Sequence, residues 1–158
     1  MCVAYNAGML RLCLVGLLAA GQGAALKTHE TAHLSLTTSS SAQTGKASLF
    51  VDVVPKPTMH VYSPGQKGYI AITLTLDADP AFTAAKTKYP PGEKLFMKVL
   101  NETQLVYSKP FRITQDIRLV KPAAGAPLTI KGTLRYQACD DKVCYLPANV
   151  PVQWALND

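Results

Sequence analysis

From Leu128 to Tyr136 the chain alternates apolar and polar residues. Leu128, Ile130, Leu134 and Tyr136 fall on one side, and Thr129, Lys131, Thr133 and Arg135 on the other. Successive side chains of a strand point to opposite faces, so this is a strand with one face in a core and one in water. Tyr69 to Leu76 repeats the pattern, with Ile70, Ile72, Leu74 and Leu76 set against Ala71, Thr73 and Thr75. Further strand-like runs cover Ala47–Val54, Met59–Tyr62, Lys94–Leu100, Gln104–Tyr107 and Phe111–Val120. Val150–Leu156 closes the series, with Val152, Trp154 and Leu156 on its inner side and Trp154 as core. Pro, Gly and Asn punctuate the runs, and no stretch of ten or more residues carries a helical stripe. Seven or eight short strands of this kind predict an all-β fold, an antiparallel β-sandwich.

The first 25 residues have another character. Arg11 precedes a short apolar run, Leu12 to Ala20, and Gly23-Ala24-Ala25 supplies small residues for cleavage. This is the layout of a secretory signal, and the run is too short for a spanning helix of about 20 residues. Met9, just ahead of Arg11, is an alternative start. The expected organisation is a signal peptide over 1–25, a polar flexible lead over 26–46 rich in Ser and Thr, and one domain over 47–158. The expected location is periplasmic or secreted, with no transmembrane segment in the mature chain. The net charge is +6 over 158 residues, but the lysines are scattered and no basic run interleaves with aromatics. Nucleic acid is therefore not an expected partner, and no residue pattern calls for a cofactor.

Cleavage removes Cys2 and Cys13 and leaves Cys139 and Cys144. Export places that pair where disulfides persist. Four intervening residues suit a hairpin, which sets the sulfurs opposite each other, and paired strand positions lie within the Cα separation a disulfide needs. Two readings stay open from spacing alone. One is an inert staple in a secreted binding module; the other is an exchangeable redox pair. A loop this short stabilises by only about 2 kcal/mol in the chain-entropy model, which favours exchange. Continuing the parity of Leu128–Tyr136 places Cys139 on the outward face with Arg135 and Gln137. Asp140 and Asp141 disfavour thiolate there, while Lys142 favours it. A zinc site needs two further ligands that no second pair supplies.

Two other motifs carry less weight. His29-Glu30-Thr31-Ala32-His33 spells H-E-x-x-H, but zinc proteolysis needs a buried helix and a third ligand, and this segment runs into a Ser/Thr tract read as disordered. Asn101-Glu102-Thr103 fits a glycosylation sequon, a triplet common by chance.

Tyr136-Gln137-Ala138-Cys139, closing with Cys144-Tyr145-Leu146-Pro147, together with His60-Val61-Tyr62-Ser63-Pro64, resembles the N-terminal periplasmic domain of the thiol:disulfide interchange protein DsbD. The resemblance spans about Ala47 to Leu156. It implies an immunoglobulin-like sandwich that passes reducing equivalents to exported oxidised proteins, fed by a membrane electron carrier and a thioredoxin-like protein or domain. The chain is then expected to be a standalone carrier, an adaptor for a separately encoded membrane electron carrier, or a relative that kept the fold. It implies that Cys144 forms the mixed disulfide and Cys139 resolves it, with His60, Tyr62, Tyr136 and Tyr145 lining the pair. The family often has one more residue between the cysteines, and its shielding cap loop has no clear counterpart; Leu100 and Asn101 fall nearest that place, with Phe96 a few residues earlier.

Overall fold

The structure, a computed structural model, describes residues 27–120 and 127–156. The expected signal segment, with Met9, Cys2 and Cys13, lies outside the described residues. Within them the strands in chain order are β1 (Lys27–Glu30), β2 (Leu34–Gln43), β3 (Lys46–Pro55), β4 (His60–Tyr62), β5 (Thr73–Leu76) and β6 (Phe82–Ala84). There follow β7 (Glu93–Met97), β8 (Glu102–Tyr107), β9 (Phe111–Leu119), β10 (Leu128–Tyr136), β11 (Ala138–Cys139) and β12 (Ala148–Leu156).

They form a five-stranded sheet in the order β1-β2-β3-β9-β6, a three-stranded sheet β12-β10-β5 and a four-stranded sheet β11-β4-β8-β7. All the strand pairs are antiparallel. This is the expected all-β, immunoglobulin-like sandwich. The β2–β3 hairpin turns through Thr44-Gly45, where Gly45 has φ 74°. A two-residue hairpin loop demands positive φ, which glycine adopts without a Cβ penalty.

Leu34, Leu36, Leu49, Val51 and Val53 of the five-stranded sheet, and Ile130, Leu134, Val152 and Trp154 of the three-stranded sheet, share one buried core. Each such side chain contributes about 1.5–3 kcal/mol by leaving water. Two polar side chains bridge this core. Trp154 Nε1 donates to the Phe50 carbonyl at 3.0 Å, and Thr38 Oγ1 to the Gln153 carbonyl at 3.0 Å. Both bonds join the two layers.

The polar stretch expected as a flexible lead is instead β1 and β2. Leu34, Leu36 and Thr38 are buried, a period-two signal that continues beneath the Ser/Thr composition. The ladder to β3, ten residue pairs long, satisfies the backbone where the small side chains bury little. The folded unit therefore begins well before residue 47.

The cysteine region is positioned by a break. β10 ends at Tyr136, Gln137 belongs to no strand, and β11 resumes against β4 of the four-stranded sheet. The chain thus changes sheets immediately before Cys139.

Candidate redox site

Cys139 and Cys144 are joined by a disulfide, with their Cα atoms 4.0 Å apart. The Asp140 amide donates to the Val143 carbonyl and the Tyr145 amide to the Ala138 carbonyl, both at 2.9 Å. Those bonds bracket the cysteines, which makes them a non-hydrogen-bonded pair, the closer of the two antiparallel pair types. Asp140 builds the turn. Its Oδ1 accepts from the amides of Lys142 at 2.7 Å and Val143 at 2.8 Å, and its Oδ2 from the Tyr145 hydroxyl at 2.9 Å. These bonds, the two backbone amides first, hold the Asp140 carboxyl below its usual range. The aspartate expected to repel thiolate is occupied in the loop. Gln137 Nε2 donates to the Tyr145 carbonyl at 3.1 Å and ties the two arms.

The two cysteines differ sharply in exposure. Cys139 is 1% exposed, whereas Cys144 is an exposed residue. Parity along β10 predicted an outward Cys139, and the structure overturns it. Ala138 and Cys139 are both buried, because the irregular Gln137 and the change of sheet reset the alternation.

Tyr62 is 1% exposed, and its hydroxyl lies 3.3 Å from Cys139 Sγ and 3.4 Å from Cys144 Sγ. A disulfide sulfur carries no hydrogen, so the phenol is the donor. Burial, then the neighbouring Tyr69 and Glu102, push the Tyr62 hydroxyl up to about 12, so it remains a donor across the physiological range. Tyr69 stacks on it at 4.4 Å and donates to Glu102 Oε2 at 2.9 Å. His60 is the Cα partner of Cys139, 2% exposed, with its ring edge-on to Tyr62 at 6.0 Å. Burial lowers its pKa, against the raising influence of Asp141 and Asp140.

The other two expected lining residues sit further back. Tyr145 is half-buried, with His33 packed on its ring at 4.3 Å. Tyr136 belongs to the core, and its hydroxyl donates to Thr31 Oγ1 at 2.9 Å. The H-E-x-x-H segment is therefore ordered: His29 lies in β1, and Thr31 and His33 brace the aromatic residues that flank the hairpin. Among the described residues no group of three or more His, Cys, Asp and Glu is placed to hold a metal.

Beside Cys144 is a recess of about 190 Å³ whose walls include Tyr62, Val99, Leu100, Gln104 and Val143. Val99 and Leu100 belong to the turn after β7, which Asn101 closes at φ 50°. Asparagine tolerates this left-handed region better than most residues. The turn borders the recess but leaves Cys144 exposed; Phe96 points to solvent and is not among the recess walls. Gln104, fully buried, was not foreseen from the sequence. Its side-chain nitrogen and oxygen meet no hydrogen-bond partner. A larger concavity, about 490 Å³, lies by Ser41, Lys46, Thr83 and Arg118 and contains neither cysteine.

A buried and an exposed cysteine, closed across a tight hairpin on an immunoglobulin-like sandwich, define a thiol–disulfide interchange domain. The chain belongs to the family described as thiol:disulfide interchange protein DsbD, N-terminal, whose sequence profile matches residues 26–153. Its fold is similar to that of the N-terminal periplasmic domain of ScsB from Proteus mirabilis, with a TM-score of 0.61 and 13% identity. That match covers 82% of this chain and 49% of the other, so the chain spans about half the length of that structure. The DsbD N-terminal domain of Neisseria meningitidis in its reduced form is 21% identical, with a TM-score of 0.44, over 70% of this chain and 78% of that one. No curated protein sequence matches the chain at a significant level. Among the described residues, no helix is long and apolar enough to cross a membrane.

Proposed function

We propose that the domain acts after export, in the periplasm or outside the cell, as a carrier of reducing equivalents. It exchanges them with a thioredoxin-like protein or domain and is reloaded by a membrane electron carrier. The observation that supports this reading is the unequal exposure of the two cysteines. Exchange proceeds through a mixed disulfide, so one sulfur must meet the partner and the other must stay in reserve. In the donating direction, the Cys144 thiolate attacks a sulfur of the partner's disulfide, and the partner's other sulfur leaves as thiolate. Cys139 then attacks Cys144 Sγ, forms the Cys139–Cys144 bond and expels the partner's second thiolate. Two electrons pass to the partner.

Val99, Leu100, Val143 and Leu146 are exposed apolar residues of the same turn and hairpin. They offer a docking fringe around a single reactive sulfur. A staple, by contrast, needs no such access. Cys139→Ser should trap a mixed disulfide through Cys144 with a thioredoxin-like protein, and Cys144→Ser should trap little; non-reducing electrophoresis with mass mapping reads both. Equal trapping by the two variants would remove the assignment of roles. Trapping by neither, with a disulfide that resists dithiols, would favour the inert binding module.

A further inference from the structure

We propose that His60 is the proton acceptor that makes Cys139 a nucleophile when it resolves a mixed disulfide on Cys144. This rests on the carrier reading above and assigns the base for its second step. The antiparallel pairing of β11 with β4 sets Cys139 and His60 directly opposite each other. Directly opposed residues share a face, with Cβ atoms roughly 4.5–5.5 Å apart. His60 is almost fully buried, yet its Nε2 has no hydrogen-bond partner. A buried polar atom left unpaired requires a reason. The structure holds the oxidised state, in which Cys139 Sγ has no hydrogen to offer. Reduction frees the Cys139 sulfur from Cys144 and gives the residue paired with His60 an S–H to donate, so the missing partner belongs to the other redox state.

The surroundings suit the role. Tyr62, edge-on to the imidazole, donates toward Cys139 Sγ and stays protonated, so it stabilises thiolate without competing as the base. Asp140 and Asp141, the charged groups that act on His60 from the hairpin, favour the imidazolium once it forms, while burial keeps the resting ring neutral. Asp140 is itself committed to the loop amides and Tyr145. In the step, Nε2 takes the proton from the Cys139 thiol. The thiolate attacks Cys144 Sγ, and the bond between Cys144 and the partner's sulfur breaks. That sulfur leaves with the electron pair, and the imidazolium proton returns to solvent or to the leaving thiolate. A thiol paired with an imidazole is a recurrent way to make a weak nucleophile effective near neutral pH.

The reduced protein mixed with 5,5′-dithiobis(2-nitrobenzoate) tests this without a protein partner. The first release of thionitrobenzoate is attack by exposed Cys144, and the second is intramolecular resolution by Cys139. His60→Phe and His60→Gln should leave the first phase unchanged and slow the second at least ~10-fold at pH 7. The slowed phase should recover only at pH high enough to ionise the thiol unaided. An unchanged second phase, or one slowed equally at every pH, overturns the proposal. If neither variant folds, the wild type decides: its second phase must lose rate through the imidazole range, and a profile set only by a thiol above about pH 8 overturns the assignment. Failure of the carrier reading looks different, since Cys139→Ser would then trap no thioredoxin-like protein whatever the two phases show.

Discussion

Tyr62→Phe isolates the hydroxyl that touches both sulfurs at 3.3 and 3.4 Å. The ring, its stack on Tyr69 and its burial are retained, so the change removes one donor and little packing. In the disulfide, that donor meets neutral sulfur. After reduction and ionisation it meets a thiolate. Hydrogen bonds to charged groups are worth about 1.5–3 kcal/mol net and neutral ones about 0.5–1.5, so the hydroxyl favours the ionised reduced form by about 1 kcal/mol. For a two-electron couple about 30 mV corresponds to 1.4 kcal/mol, so Tyr62→Phe should lower the reduction potential by about 20 mV. Because the phenol is pushed up to about 12, it stays a donor throughout, and the pH dependence belongs to the thiol. The shift should be small in acid and reach its full size where the reduced pair is ionised. Equilibration with glutathione redox buffers, followed by alkylation and mass measurement, reads it. A potential that rises, or one unchanged at pH 9 in a folded variant, would refute the reasoning.

Two further outcomes follow from the loops around the site and the strand beside it. Asp140→Ala removes acceptors for the Lys142 and Val143 amides and for the Tyr145 hydroxyl; those two amides should exchange hydrogen faster, and in the wild type the same loosening should appear as pH falls through the depressed carboxyl range. Glu93 is held down to about 2 by the Ser108 hydroxyl first, then the Ser108 amide and Lys109. A lowered folded-state pKa contributes stability above the usual 4.5 that is lost as pH falls toward 2, so the urea midpoint of the wild type should drop across that window and that of Glu93→Gln should drop less.

Period two located the middle of the sandwich because one-sided burial writes itself into alternation. β10 runs from Leu128 to Tyr136 as expected, and Val152, Trp154 and Leu156 of β12 are inward. The same rule fails where burial stops being one-sided. Ala138 and Cys139 are both enclosed, one by the main core and the other by Tyr62 and Val106, so no parity exists to extend. β2 was hidden for the opposite reason: Thr37 to Ser41 carries little apolar surface, and its pairing rests on backbone and hydroxyl bonds that composition does not display. The cysteine hairpin was legible because its spacing is local. Gln104, Thr31 and His33 were not, because each reaches the site across sheet pairings or from a strand far away in sequence.

The sheet borders bear on how such a protein survives at high concentration. Unpaired strand edges recruit other strands, and natural sheets blunt them with short length, charge or proline. Here the five-stranded sheet ends in β1, four residues carrying Lys27 and Glu30, and in β6, three residues long. The three-stranded sheet ends in four-residue β5 and in β12, the one long border strand, which Pro151 interrupts midway by withholding an amide hydrogen. The four-stranded sheet ends in two-residue β11 and in β7, which opens with Glu93 and Lys94. The long, regular strands β2, β3, β9 and β10 are all interior. The exposed apolar residues beside Cys144 thus sit in a fold whose borders discourage strand-to-strand polymerisation, and they can stay open without seeding fibrils.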